Sequence, residues 1–371
     1  MAYVISFLGV VFAFGLVIFV HEFGHFIVAK KSGVKVERFS FGLGPEMFGF
    51  QWGETKYCVA WLPLGGEVRM AGEFGEEEKV EDPPRDKSRD FFSQPWYRRI
   101  AIAFAGPFMN YILAIIIFFG ILFINGEPNQ TNKTQIGEIL AGMPADLAGV
   151  KTGDTILKVQ GEAVVDFFDM AQKIQARPNQ QTDLLIFRDN QELTLSVTPK
   201  ADEGQKTGLI GIRPADPIYE RKKIGVVQSL TLSLRQCWTI SSTTVYYLWK
   251  KISEREKPDL AGPLGITQVI VKAVKSGWED FFGLIGMISV AIGLFNLFPI
   301  PMLDGGHVVY YVIEGIRGKP VSQKIMGKAN MVGMALLLSL LVFATLNDVQ
   351  RFRGSKKAPE TESSSSKKIQ E

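Results

Sequence analysis

The five residues from His21 to His25 have the side chains and the spacing of a hydrolytic metal site. They read His-Glu-Phe-Gly-His, and two histidines four positions apart project from one face of a helix, where both can bind one zinc ion. A glutamate beside the first histidine can act as general base toward water on that ion. The sequence therefore predicts zinc ligands at His21 and His25 and a catalytic base at Glu22.

A second stretch, from Asn296 to His307, supplies a candidate third ligand. It reads Asn-Leu-Phe-Pro-Ile-Pro-Met-Leu-Asp-Gly-Gly-His, in which two prolines end a regular helix and paired glycines allow a sharp turn. A catalytic zinc usually takes three protein ligands and keeps one position open. Asp304 would be an ionisable group at membrane depth, which is costly without a partner. Since zinc is such a partner, we expect Asp304 to complete the site.

Four apolar stretches are long enough to cross a membrane, at about 3–29, 100–124, 281–299 and 329–346. The first lacks a basic leader and a cleavage site, which favours a retained helix over a signal peptide. Basic residues at 30–31 and 98–99 place the intervening loop on the cytoplasmic side. Alternation makes the first and third spans parallel, so the two motifs should meet near the cytoplasmic face. Arg351 and Arg353 favour the opposite orientation for the tail, whose side is left open.

Two further segments have the patterns of folded structure outside the spans. Residues 36–70 alternate and are rich in Gly, Phe, Val and Trp, which predicts short strands. At membrane depth such strands are tolerated where their backbone is covered or lines a wet cavity. Residues 126–214 have the composition of a soluble domain, and the run Pro-Ala-Asp-Leu-Ala-Gly-Val-Lys-Thr-Gly-Asp-Thr-Ile at 144–156 resembles a PDZ domain of the permuted bacterial kind.

The predicted fold class is a multi-pass α-helical membrane protein with about four spans, a membrane-associated β-region and a soluble PDZ-like α+β domain. The predicted divisions are the first span with its motif at 1–30, a cytoplasmic-side β-rich, membrane-associated loop and acidic linker at 31–99, the second span at 100–125, the PDZ-like domain at 126–214, amphipathic interfacial helices at 215–280, the third span with its motif at 281–310, a cytoplasmic loop at 311–328, the fourth span at 329–347 and a disordered tail at 348–371.

Composition excludes several other classes of protein. A net charge of +3 over 371 residues, without a basic stripe interleaved with aromatics, argues against nucleic-acid binding. Cys58 and Cys237 lie far apart without metal-like spacing, so no structural disulfide is expected. The chain has three histidines, and all of them fall within the two motifs.

Together these features resemble the site-2 protease family of intramembrane zinc metalloproteases, and most closely its bacterial regulator of sigma-E protease (RseP) group, here with a single PDZ domain. The two motifs in this order, with one PDZ-like domain between spans two and three, carry the resemblance over about 1–347. The sequences at 41–45, 63–70, 105–110 and 262–266 support it. Glu67 departs from the pattern, since the family usually has tyrosine there.

The resemblance implies that His21, His25 and Asp304 bind zinc and that Glu22 activates water. Asn296 would hold the substrate backbone near the scissile bond, while Gly65 and Gly66 would contact substrate within a β-region that pairs with an extended strand. The PDZ-like domain would screen substrates outside. No role follows for His307.

The partners implied by the resemblance are the lipid bilayer of the bacterial cytoplasmic (inner) membrane and transmembrane substrates, such as anti-sigma factors or signal-peptide remnants, with no nucleic acid. Two other classes compete with this interpretation. A non-catalytic scaffold would use the PDZ-like domain for binding and would not need Glu22. A transporter would carry ionisable residues along other spans, and the second and fourth predicted spans have none.

Overall fold

The computed structural model describes residues 2–73, 86–201, 207–216, 218–255 and 262–355. The chain divides into two compact units, which are described separately. Residues up to 124 together with those from 225 onward form the membrane unit, and 125–224 form the small domain. The helices are α1 Ala2–Lys31, α2 Trp96–Asn125, α3 Pro144–Leu147, α4 Phe167–Gln175, α5 Val226–Ser253, α6 Pro263–Ser276, α7 Trp278–Asn296, α8 Asp304–Arg317 and α9 Gln323–Ser355.

Four of these helices, α1, α2, α7 and α9, are long and apolar enough to cross a membrane. An apolar helix suits this environment because its backbone hydrogen bonds are satisfied within the segment. The candidate spans are Val4–Lys31, Trp96–Asn125, Trp278–Asn296 and Gln323–Gln350. The multi-pass helical architecture predicted from the sequence is therefore confirmed.

Two strands, β1 Val36–Trp52 and β2 Thr55–Met70, form the β-region of the membrane unit. Both are long and bent, so each pairs more than once. Phe41 lies opposite both Gly66 and Val59, and Arg38 lies opposite both Arg69 and Lys56. Residues 36–43 are thus flanked by two segments of β2, and 62–70 form one outer edge of the region. Among the described residues, no further strand pairs with that edge.

Buried side chains fix the β-region against the ends of three helices. One apolar cluster contains Ala29 of α1, Val36 and Met70 of the β-region, Ile102 of α2 and Tyr311 of α8. Burying these groups against one another supplies the main favourable term for holding the elements together. The cluster lies beside the C-terminal end of α1, where the first motif is located.

Helices α5 and α6 pack against the spans by different faces. In α5 the buried positions are Ser229, Ser233, Cys237 and Ser241, which recur every four residues and allow close helix contact. Tyr111 of α2 hydrogen bonds to Ser241, with their oxygens 2.8 Å apart. On α6, Ile270 is buried in a second cluster with residues of α1 and α7.

The small domain is an α+β fold. Its strands are β3 Glu127–Gln130, β4 Ile136–Ile139, β5 Thr155–Val159, β6 Glu162–Ala163, β7 Thr182–Arg188, β8 Gln191–Val197, β9 Lys200–Ala201, β10 Gly208–Leu209, β11 Ile212–Pro214 and β12 Tyr219–Lys222. Four of them form a sheet in the order β6-β5-β7-β8, while β4 pairs with β11 and β3 with β12. Ile156, Met170 and Ile186 lie in its core.

Several boundaries differ from the sequence divisions. The small domain extends to Ile224 rather than 214, because β12 lies beyond 214 and returns to pair with β3. The predicted cytoplasmic loop at 311–328 contains the end of α8 and the beginning of α9, and α9 continues to Ser355 beyond 347. Residues 74–85, which make up most of the predicted acidic linker, and the tail from 356 lie outside the described residues.

Candidate metal centre

The structure brings His21, His25 and Asp304 together, although Asp304 is far away in the chain. Nε2 of His21 lies 3.2 Å from Nε2 of His25 and 3.1 Å from Oδ2 of Asp304. Nε2 of His25 lies 3.6 Å from Oδ1 of Asp304. Among the described residues, these three form a group able to hold a metal ion.

The spacing of these atoms fits a tetrahedral zinc ion. With zinc–ligand distances of about 2.0–2.1 Å, the edges of a tetrahedron are about 3.3 Å, which matches the observed separations of 3.1–3.6 Å. Oδ2 of Asp304 is buried and makes no hydrogen bond of good geometry with any described residue, which is costly for a carboxylate oxygen unless a cation binds it. Two imidazole nitrogens and one carboxylate are also a usual ligand set of catalytic zinc.

Two groups on helix α2 contact the Nδ1 atoms of His25 and His21, the ring nitrogens that do not face the ligand cluster. Nδ1 of His25 lies 2.7 Å from the carbonyl oxygen of Ile102, to which it can donate. The amide nitrogen Nδ2 of Asn110 lies 3.2 Å from Nδ1 of His21, and the amide oxygen takes that place when the amide is turned by 180°. When Nε2 of His21 is the ligand atom, Nδ1 carries the proton, so the amide oxygen of Asn110 must face it. That oxygen is buried without another partner. Such contacts fix the tautomer and the ring orientation of a metal ligand.

Close helix packing allows these contacts. A β-carbon on Gly106 of α2 would overlap Nε2 of His25 and would lie 2.9 Å from Cε1 of His21. Only glycine leaves room for both imidazole rings at this position. The sequence Ala-Gly-Pro-Phe-Met-Asn at 105–110 thus provides the space for the ligands and the amide that orients one of them.

Asp304 is the first residue of α8, and a short non-helical segment separates this helix from α7. The chain leaves α7 at Asn296, and the turn before α8 is made at Met302, whose φ is +80°. The glycines after Asp304 are helical and pack against carbonyl groups of the preceding loop, at Leu297 for Gly305 and at Ile300 for Gly306. Their small size, rather than a sharp turn, is what this position requires.

Glu22 lies between the ligands and the outer edge of the β-region. A β-carbon on Gly66 would overlap Cγ of Glu22 and would lie 3.2 Å from the carbonyl oxygen of Ser40. Gly65, the preceding residue, has a φ of +142°, which favours glycine. Gly65 and Gly66, which were predicted to contact substrate, therefore lie on the outer edge of the sheet next to Glu22.

A cavity of about 310 Å³ opens onto the three candidate ligands. It is also lined by Glu22, Asn296, Glu73 and His307. Burial raises the pKa of Glu73 to about 7. The structure thus places every metal, catalytic and amide side chain predicted from the sequence around one space large enough for water and a peptide group.

Sequence reasoning missed two of the residues around this cavity. The sequence at 105–110 supports the family resemblance, but no role was predicted for Asn110. A buried amide in an apolar span is itself a functional signal. Glu73 begins the acidic stretch that the sequence indicates as a linker within 31–99, since further acidic residues follow it. Its side chain is instead directed into the cavity, and no local pattern indicates this.

The chain is similar to known proteins over most of its length. Residues 9–340 match the model of peptidase family M50. Metalloprotease MmpA of Caulobacter vibrioides is 32% identical over 389 residues, covering 94% of this chain and 96% of that protein. The regulator of sigma-W protease RasP of Bacillus subtilis is 30% identical over 415 residues, covering 91% and 96%.

Solved structures also match part of the chain, and one of them is a PDZ domain. The PDZ domain of an SdrC-like protein from Listeria monocytogenes covers 24% of this chain and 93% of its own, with 16% identity and a TM-score of 0.22.

The family match extends over most of the chain and includes both motifs and the helices that bring them together. The relatives are similar over nearly their whole lengths. The chain therefore belongs to peptidase family M50, the site-2 proteases, and is a zinc-dependent metalloendopeptidase of a bacterial inner membrane.

Proposed function

We propose that this protease cleaves single-span membrane proteins within or near their membrane spans, using zinc bound by His21, His25 and Asp304 and water activated by Glu22. The observation that carries the proposal is the convergence of these four side chains on one cavity beside span helices α1, α2 and α7. A hydrolytic site in that position serves bonds that are themselves at membrane depth.

Each chain residue has a distinct task in this proposal. When bound, zinc would lower the pKa of water and polarise the peptide carbonyl. Glu22 takes a proton from the attacking water and returns it to the leaving amine as the carbon–nitrogen bond breaks. Asn110 and the carbonyl of Ile102 hold the imidazoles of His21 and His25 in the orientation that aims both Nε2 atoms at one point.

The edge of the β-region is well placed to present the substrate. A peptide bond inside a helix is protected, so a transmembrane substrate must become extended before it is cut. Residues 62–70 form an outer edge without a further strand among the described residues, and Gly66 on that edge contacts Glu22. A substrate strand added there would gain main-chain hydrogen bonds beside the base. Asn296, on the cavity wall, would hold the substrate backbone.

The substrate class is inferred from relatives and from the site. RasP of Bacillus subtilis is named a regulator of sigma-W protease, and we infer anti-sigma factors or signal-peptide remnants as substrates here. The small domain would screen them before they reach the cavity.

Cleavage of a purified single-span substrate, measured together with zinc content, tests the proposal. Wild type should contain one zinc per chain and cut. Glu22→Gln should keep its zinc and lose cleavage at least about 10³-fold, while Asp304→Ala should lose both. Glu279→Gln, at the far end of α7, is the matched control and should behave as wild type. Cleavage by Glu22→Gln at the wild-type rate would contradict the mechanism and favour a non-catalytic scaffold.

A further inference from the structure

His307 lies on the same helix as Asp304 and lines the same cavity. The two residues are three positions apart near the beginning of α8, so their side chains project from neighbouring positions on one face. Both line the space onto which His21 and His25 open. All three histidines of the chain therefore border one cavity.

The imidazole of His307 is the histidine that the candidate metal site does not use. His21 and His25 each have one nitrogen at the ligand cluster and the other near a group on α2. His307, by contrast, makes no side-chain hydrogen bond to any described residue. Its ring centroid lies 6.0 Å from that of Tyr310 and 6.4 Å from that of Tyr311. These contacts restrict the ring while leaving its nitrogens available.

Hydrolysis of a peptide bond at this site would be accelerated by a hydrogen-bond donor directed at the carbonyl oxygen. As the water oxygen bonds to the carbonyl carbon, negative charge develops on the carbonyl oxygen. A donor already in place in a water-poor site stabilises that charge without reorganising. Val68, Met70 and Phe91 on the cavity wall donate no side-chain hydrogen bond. Besides the three histidines, the lining residues with a neutral side-chain donor are Asn296, which the proposed function assigns to the substrate backbone, and Tyr311.

We propose that His307 is a further catalytic residue, whose imidazole N–H donates a hydrogen bond to the carbonyl oxygen of the scissile peptide bond. This inference rests on the proposed function. The proton balance is unchanged by it, because the water proton passes through Glu22 to the leaving amine while His307 keeps its own. The hydrogen bond strengthens as the oxygen becomes negative, so it acts mainly on kcat rather than on substrate affinity.

Two substitutions separate hydrogen-bond donation from ring packing. His307→Phe keeps a ring against Tyr310 and Tyr311 but removes the donor. We expect kcat to fall about 10²–10³-fold, with KM within about threefold and one zinc per chain. His307→Gln offers a side-chain N–H and should recover at least about tenfold over His307→Phe. Tyr310→Phe is the matched control, since the Tyr310 hydroxyl is buried without a hydrogen-bond partner among the described residues, and this variant should cleave within about twofold of wild type.

A measurement without turnover completes the test. In the Glu22→Gln background, His307→Phe should leave the Kd of a fluorescent single-span substrate within about threefold, because the uncharged carbonyl gains little from the donor. Loss of zinc in His307→Phe, a rise in KM at unchanged kcat, or full activity in that variant would each overturn the proposal. Failure of wild type itself to cleave would overturn the proposed function instead, so the two failures are distinguishable.

Discussion

Gly66 of the β-region lies in direct contact with Glu22 of α1, so close that a β-carbon on Gly66 would overlap Cγ of the glutamate. The contact joins the outer edge of the sheet to the proposed base. Because the carbonyl oxygen of Ser40 closes the other side at 3.2 Å, an added methyl group has nowhere to go without moving one of the two. The β-region therefore positions the base as well as offering an edge for substrate.

Gly66→Ala should consequently reduce cleavage at least tenfold by displacing Glu22 or the edge strand, since small displacements of a catalytic group cost about 10²-fold. Zinc content should stay at one per chain, because the atoms nearest to an added β-carbon belong to Glu22 and Ser40 and not to a candidate ligand. The measurement is kcat/KM on a single-span substrate together with zinc analysis. Gly120→Ala in α2 is the control, because a β-carbon there meets no atom within 4 Å. Equal activity in both alanine variants would show that the contact is unimportant.

Asn110 provides a separate test of how the zinc ligands are oriented. Asn110→Leu removes the amide opposite Nδ1 of His21 and should weaken zinc binding about 10–100-fold, as loss of such outer contacts does elsewhere. Asn110→Asp keeps an oxygen that accepts from the imidazole N–H and should retain zinc. Competition with a chelator of known affinity measures the difference. Identical affinities for the leucine and aspartate variants would rule out this orienting role.

The candidate ligands could be predicted from the sequence, whereas the groups that contact them on α2 could not. The spacing of His21 and His25 follows from the period of one helix, and Asp304 follows from the order and direction of the spans. The contact of Asn110 with His21 depends on how α2 is rotated about its own axis. That rotation results from packing between helices, including the close approach at Gly106, and no local pattern encodes it.

The β-region shows the same division between local and non-local information. Alternation predicted strands in 36–70, and β1 and β2 lie there. The pairing of Phe41 with both Gly66 and Val59 is non-local and depends on how the two long strands bend. Similarly, the prolines at 299 and 301 predicted a break after α7, but the new helix at Asp304 requires glycines that fit beneath the carbonyls of Leu297 and Ile300. Packing between segments that are distant in sequence or separated by a turn therefore determines both the strand pairing and the start of α8.

Glu73 should make stability depend on pH. Burial raises its pKa to about 7 from an ordinary 4.5, so the folded protein favours the neutral acid. Its contribution is therefore fully present below about pH 4.5 and is lost as the pH rises through about 7, at a cost of about 3 kcal/mol at most. Glu73→Gln should remove this loss and raise the Tm relative to wild type at pH 8.

The measurement for Glu73 is thermal unfolding of zinc-free protein in detergent between pH 5 and 8, because a bound cation nearby would itself favour the ionised carboxylate. The exposed Glu192 supplies the comparison, and Glu192→Gln should follow the wild-type pH dependence. A wild-type slope preserved in Glu73→Gln would show that another group is responsible.

Arg99 and Glu314 form an ion pair that ties the beginning of α2 to α8, the helix that carries Asp304. Arg99 is 3% exposed, also donates to the carbonyl oxygen of Gln94 at 3.0 Å and lies over the ring of Tyr311. Removing one member of a buried pair leaves the other charge without its partner, so Arg99→Met should lower the free energy of unfolding by about 3–5 kcal/mol.

The double variant Arg99→Met/Glu314→Met should recover at least half of that loss, because no buried charge then remains unpaired. The neighbouring Arg98 is the matched control: it is exposed and bonds to Ser32 and Gln94, so Arg98→Met should cost less than about 1 kcal/mol. Denaturant unfolding in detergent measures all four proteins. If Arg99→Met and Arg98→Met were equally stable, the pair would not hold α8 in place, and the position of Asp304 would have to depend on the packing of its glycines alone.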